Sequence, residues 1–303
     1  MDALYAAPRP EEQTADVSYC YGNRIGIAQS DDNGASWYYR GTLDLEFERG
    51  HNTFWAPEII YHKGIYHLFV AYIKGVRTNW GGEKTLIHYT SKNLWDWKYR
   101  GRLEVGSHSV IDITVFRKPD GRWRAWYKDE SAGSNTFLSD SKNLMKWEKG
   151  RLAIGGVGCE APKVFQFRDY YWMLTDEWHG FRLYRSSDLE HWERQEILIG
   201  EASSRPQDGP QGAHGDVVVF GSANHPIFTF YIFYILLFIV YKQRSTCYHN
   251  RCFARLMKQI KSSFPKLITK SYETSLREQE SNLRSLDYES SALATKPPRG
   301  LSL

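Results

Sequence analysis

Two carboxylates in this chain stand where acid–base chemistry could be done. Glu160 opens the apolar run Glu160-Ala161-Pro162-Lys163-Val164-Phe165-Gln166-Phe167, and Asp112 lies between Ile111 and Ile113 at the start of another. Cleavage of a glycosidic bond needs two such groups. One is protonated near neutral pH and donates to the leaving oxygen; the other is ionised and activates water or attacks directly. Apolar company raises a carboxyl pKa, so Glu160 reads as the acid, with Asp112 orienting the substrate or tuning that acid. Two further openings share the form. Phe54-Trp55-Ala56-Pro57-Glu58-Ile59 supplies Trp55 and Glu58, and Ala213-His214-Gly215-Asp216-Val217-Val218 supplies His214 and Asp216. Taken singly, each acid is a turn-capping or exposed strand-end residue, and a His before Gly-Asp is a hydrogen-bonded strand end. Their recurrence at one place in a repeat is what gives them weight.

The elements that must position these residues are short strands. Alternation over residues 24–29, 59–62, 65–72, 85–89, 113–117, 123–128, 163–167, 170–176, 181–186 and 216–220 predicts strands. Turn residues separate them, among them Lys63-Gly64 and the hairpin signal Pro119-Asp120-Gly121. A Ser-rich turn closing on Trp returns at Trp37, Trp97, Trp147 and Trp192. Those tryptophans are 60, 50 and 45 residues apart. Repeats of this length, each with several strands, mark the blades of a β-propeller, whose innermost strands bring distant residues to one end of a central axis. The predicted fold is an all-β, five-bladed β-propeller that is incomplete. The first blade is half present from Tyr19, three are whole, and the fifth breaks after its first strand.

The rest of the sequence divides around that unit at 19–221. Residues 1–18 read as unstructured, with neither the basic start nor the apolar core of a signal peptide. From Ile227 to Tyr241 runs an apolar stretch of 15 residues, short of the ~20 of a spanning helix. Three readings of the segment 222–244 stay open: a membrane anchor with its C-terminal side cytoplasmic, buried strands, or a departure of the coding sequence from its family. Residues 245–303 read as a solvated, Ser-rich tail. The net charge of +4 comes from that end. Lys and Arg outnumber Asp and Glu by 12 to 5 from Lys242 onward and trail them by 27 to 30 before it. Nothing in a near-neutral body suggests nucleic acid as a partner. The four cysteines form no CxxC and read as free structural thiols.

Phe54-Trp55-Ala56-Pro57-Glu58, Ile111-Asp112-Ile113, Glu160-Ala161-Pro162-Lys163 and Ala213-His214-Gly215-Asp216, in this order, resemble the blade openings of glycoside hydrolase family 43 and its relatives. The resemblance covers about residues 19–221 and includes the Ser-x-Asp/Asn-Leu-x-x-Trp turns. It implies a five-bladed propeller that hydrolyses arabinosides, xylosides or galactosides within oligosaccharides or polysaccharides, mostly with inversion, and requires no cofactor. By resemblance, Glu160 is the general acid, Asp112 tunes and positions it, and Trp55, Glu58 and Trp178 bind substrate. His214 would lie at the axis, where such enzymes often hold a structural calcium ion or an ordered water. The family's catalytic base is an Asp heading the first blade. Upstream of Tyr19 only Asp2 and Asp16 are available, and neither heads an apolar strand in this reading, so the base is expected to be missing.

Overall fold

The computed structural model of the chain describes residues 2–7, 15–31, 38–167, 169–200, 214–222 and 225–232. They form five antiparallel sheets that follow one another along the chain. The three central sheets have four strands each. Blade two contains β4 (Thr53–His62), β5 (Ile65–Ile73), β6 (Thr85–Ser91) and β7 (Lys98–Arg102). Blade three contains β8 (Val110–Arg117), β9 (Trp123–Asp129), β10 (Asn135–Ser141) and β11 (Arg151–Ile154). Blade four contains β12 (Glu160–Phe167), β13 (Tyr170–Asp176), β14 (Phe181–Ser186) and β15 (Glu193–Ile199). Each is a meander, and β4, β8 and β12 pack side by side as the innermost strands. The architecture is a partial five-bladed β-propeller.

The outer blades are smaller. Blade one has β1 (Asp2–Ala7), β2 (Arg24–Gln29) and β3 (Tyr38–Thr42), and blade five has β16 (Gly215–Ser222) and β17 (His225–Ile232). Residues 2–7, read from the sequence as unstructured, pair along their length with residues 24–29. The apolar Ala3-Leu4-Tyr5-Ala6-Ala7 is long enough to add a strand despite the Pro-rich stretch that follows. Asp2 therefore does head a strand, but not an innermost one. β1 packs along β4 as β5 packs along β8 and β9 along β12. That makes β1 the second strand of its blade. Among the described residues, none occupies the innermost place of blade one.

Both faces of each central sheet are covered by the next, so the strands are apolar on both sides rather than alternating. In β5, Leu68, Val70 and Tyr72 fill the seam with Ile25, Ile27 and Leu43 of blade one, while Phe69 and Ala71 fill the seam with Val110, Ile113 and Val115 of blade three. Trp126 and Leu138 meet Tyr171, Met173 and Tyr184 between blades three and four. Each such Leu, Val or Phe contributes about 1.5–3 kcal/mol by leaving water. The outermost strands β7, β11 and β15 escaped the sequence reading because they face solvent. Lys98-Tyr99-Arg100-Gly101-Arg102 offers no apolar pattern.

The repeated turns are one structure used three times. Leu94, Leu144 and Leu189 each take a left-handed backbone, at φ 69°, 64° and 66°, with the side chain buried. The Ser141 and Ser186 hydroxyls accept the backbone N–H of Leu144 and Leu189 at 3.0 and 2.8 Å. In all three turns the Asn93, Asn143 or Asp188 side chain accepts the N–H three residues on, at 2.8–3.0 Å. The matching turn at Trp37 lies outside the described residues.

Of the three readings open for the apolar run after residue 222, strands hold for its first part. Its opening residues, to Ile232, belong to β17 and pair with β16, so the sheet structure continues past the expected boundary at 221. β-branched and aromatic residues suit that role better than a helix. Among the described residues no helix is long and apolar enough to cross a membrane. Residues 233–303, which hold the rest of the run and the tail, lie outside the described residues.

Candidate active site

The innermost strands share a kink. Ala56, Asp112, Ala161 and His214 have φ of 45°, 56°, 45° and 45°, a left-handed conformation that costs a non-glycine residue roughly 1–2 kcal/mol. Around the first three, the strand slips register against its neighbour: between Trp55 and Glu58, Ile111 and Thr114, and Glu160 and Lys163. Pro57 and Pro162 follow directly, placed in bulges where a missing N–H breaks no ladder bond. The kink gives every opening the same offsets. Trp55, Ile111 and Glu160 precede it; Glu58, Thr114, Lys163 and Asp216 come two residues after it. Glu160 joins the kink residues Asp112 and His214 in one cluster, and the residues two places after the kink form another.

The first cluster joins Asp112, Glu160 and His214, whose ligand atoms all lie within 4.8 Å of one another. Three blades thus meet at one point. His214 Nε2 is 3.0 Å from Glu160 Oε2. The Lys128 ammonium, from the end of β9, bonds Glu160 Oε1 and stands 3.2 Å from Glu130. Asp112, only 3% exposed, accepts the backbone N–H of Ala161 at 3.3 Å. Burial pushes Asp112 above the usual carboxylate range, and the nearby Glu160 charge adds to this. Burial would also raise Glu160, but the hydrogen bond from His214 and the charges of His214 and Lys128 outweigh it and hold the group at about 2. This overturns the expected environment of Glu160. Its neighbours in sequence are apolar, yet two cations reach it from other blades. For His214, burial favours the neutral ring, but the hydrogen bond to Glu160 and the charge of Asp112 prevail and raise it to about 9. With no substrate bound, the proton of this pair therefore resides on the imidazole at neutral pH.

The second cluster uses up Glu58. It is 8% exposed, and Oε1 accepts the Val115 N–H at 2.8 Å and the Thr114 hydroxyl at 3.1 Å. Its other oxygen accepts from Lys163, which also faces Asp216 at 3.8 Å. Burial alone would lower Lys163; Asp216 and Glu58 outweigh it and keep the ammonium charged. One charge network thus ties β4, β8, β12 and β16 together across the axis. Glu58, expected to bind substrate, instead braces the innermost strands, because its offset from the kink turns it into this network.

Two groups of aromatic side chains stand near the strand openings, Trp55 with Tyr21 and Trp80, and Trp178 beside Lys128. Trp55 donates its indole N–H to the Cys20 carbonyl at 2.9 Å and packs against Tyr21, with ring centres 4.7 Å apart. The exposed Trp80 ring lies 6.2 Å from Trp55. Trp178, 45% exposed, has its ring centre 5.7 Å from the Lys128 ammonium. Lys128, Tyr21 and Trp80 went unremarked in the sequence. Lys128 ends a strand in Trp126-Tyr127-Lys128-Asp129, where a cation after an aromatic run looks like an ordinary solvated end. Cys159 is buried against the Thr136 hydroxyl at 2.8 Å, and Cys20 meets Trp55 only through its carbonyl. Cys247 and Cys252 lie outside the described residues.

The expected calcium ion can be tested against these donors. Calcium takes six to eight oxygen ligands, whereas the first cluster offers two carboxylates and an imidazole, with Lys128 already on Glu160. In the second, the Lys163 ammonium already stands between Glu58 and Asp216. The side chains of the first cluster alone supply fewer oxygens than calcium takes, so most of its ligands there would be water.

No protein-family model matches the sequence, and none of the curated proteins matches it. Solved structures do resemble the fold. A thermostable family-43 glycoside hydrolase superposes with a TM-score of 0.54 at 18% identity, covering 74% of this chain and 81% of that one. An exo-β-1,3-galactanase from Clostridium thermocellum gives 0.53 at 14% identity, over 75% of this chain and 51% of that one. The xylan β-1,4-xylosidase from Bacillus halodurans C-125 gives 0.51 at 19% identity, over 72% and 44%. The chain thus spans about half or less of the galactanase and the xylosidase. At these identities the likeness shows a common fold.

Proposed function

We propose that the chain binds an oligosaccharide or polysaccharide at the Asp112–Glu160–His214 cluster and hydrolyses an O-glycosidic bond there, with Glu160 as proton donor. The observation that carries this reading is the convergence of those three residues from three blades, with the exposed Trp178 beside the lysine that bonds Glu160. Glu160 is held ionised when no substrate is bound, and the imidazolium 3.0 Å away is a proton source within reach of it. A sugar that displaces Lys128 from Glu160 removes one cation and favours that transfer. Asp112, buried and raised, holds the kink of the Glu160 strand through the Ala161 N–H. The fold relatives include enzymes named for xylan and galactan substrates, which supports pentose- or galactose-containing glycans. Inversion rests on the family resemblance alone.

A second reading has its own support. Lys128 and His214 both hold Glu160 in its ionised form, which favours glycan binding without turnover. The full chain should be tested on a panel of aryl arabinosides, xylosides and galactosides. Turnover that Glu160→Gln abolishes upholds hydrolysis. Glycan binding by calorimetry without turnover selects the second reading, and unchanged binding in Trp55→Ala rules out this pocket.

A further inference from the structure

We infer that Trp178 is the platform of a second sugar subsite beside Glu160, and that Gly158 and Asp176 are positioning residues that fix the indole in place. The inference rests on the glycan reading above and adds the need for at least two linked sugar rings. Trp178 belongs to the four-residue connection between β13 and β14. Its own backbone is left-handed, at φ 61°, a strained state that persists only where the surroundings hold it.

They hold it at three points. Asp176 is 3% exposed and accepts the Trp178 N–H at 2.7 Å; the same carboxylate accepts the backbone N–H of His214. One buried side chain thus ties the platform to the residue that shares a proton with Glu160. The neighbouring Glu177 is anchored by the Tyr184 hydroxyl at 2.6 Å, by Arg182 at 3.0 Å and by Arg194. Against the ring edge lies Gly158, where an added Cβ would come within 2.4 Å of the indole. Only a residue without a side chain leaves room for the ring there. The result is a half-exposed indole on a rigid, buried mount, with the Lys128 ammonium between it and Glu160. Exposing so large a ring on so constrained a loop is the opposite of what burial alone would select. It suits a flat apolar partner such as the C–H face of a sugar ring next to the one bonded at Glu160.

Gly158 gives the test its discriminating variant, because its own φ lies outside the left-handed range and alanine displaces the ring without straining the backbone. The full chain should be compared with Gly158→Ala, Trp178→Ala and the double variant. The measurements are kcat and KM on an aryl monoglycoside and on trisaccharides of xylose, arabinose and galactose, together with quenching of intrinsic fluorescence by those trisaccharides. Each single variant is expected to raise KM for the trisaccharide about tenfold more than KM for the monoglycoside, equivalent to about 1.4 kcal/mol of binding. The double variant is expected to be no worse than Trp178→Ala, since both changes remove one contact. Equal effects on the short and long substrates, or additive losses in the double variant, overturn the inference. Trisaccharide quenching that disappears in Trp178→Ala upholds the subsite even if no glycoside is turned over, an outcome that removes the hydrolysis reading only. Turnover and quenching that both survive Trp178→Ala remove the subsite and leave hydrolysis standing.

Discussion

Glu58 and Glu160 look alike in the sequence: each sits at the mouth of an innermost strand, each beside an Ala-Pro pair, and each ends bonded to a lysine. They have opposite surroundings. Glu58 comes two residues after the left-handed kink and vanishes into a network with Val115, Thr114 and Lys163. Glu160 comes one residue before the kink, keeps 21% of its side chain exposed, and meets an imidazole that can carry a proton to it. The kink sets the two apart: Glu160 lies in one layer of the axis with the kink residues Asp112 and His214, and the residues two places after the kink lie in another. Substitutions that treat the two layers alike should therefore have unlike effects.

The largest expected effect on stability is in the bracing layer. Lys163→Met leaves Glu58 buried without its cation, which costs about 3–5 kcal/mol, so the urea midpoint should fall steeply. An unchanged midpoint would mean that the network does not tie the strands. In the other layer the effect is a pH dependence. His214, raised to about 9 in the fold, contributes stability that is complete below its ordinary 6.5 and is lost as pH climbs toward 9. Glu160, held at about 2, contributes stability present above 4.5 and lost as pH falls through that range toward 2. Melting temperature should therefore peak between about 4.5 and 6.5 and decline on the alkaline side, and His214→Asn should flatten that decline. A decline of the same slope in His214→Asn would remove the Glu160–His214 pair from the account. The smallest effect is Thr114→Val, which deletes one of two hydrogen bonds to a Glu58 oxygen and should cost about 1 kcal/mol in denaturant unfolding. No measurable loss would show that the Val115 N–H suffices.

The blades were legible because their strands are buried on both faces and their turns repeat the same Ser, Asn or Asp, Leu and Trp. The outer strands were not, since residues such as Lys98, Arg100 and Arg102 face water and leave no pattern. β1 was missed for a different reason: six residues of ordinary alanine-rich sequence gain their structure from pairing with β2 and packing on β4. At the site, Asp112, Glu160 and His214 could be picked out as strand openings and are brought together. Their electrostatics could not, because Lys128 and His214 approach Glu160 from 32 and 54 residues away. Nor could the sequence tell Glu58 from Glu160, a distinction set by a backbone torsion two residues or one residue away.

The most direct test is the same substitution in both layers, Glu58→Gln and Glu160→Gln, with kcat on the best aryl glycoside and melting temperature measured for each. Glu160→Gln should lose turnover by about a thousandfold at temperatures where it stays folded, and melt lower only by the loss of the pair with His214, because Lys128 keeps Glu130 as partner. Glu58→Gln should melt roughly 6–12 °C lower, as expected for about 3 kcal/mol, and retain kcat below its transition. Turnover that survives Glu160→Gln, or that is lost only in step with unfolding in both variants, would contradict the assignment of chemistry to one layer and bracing to the other.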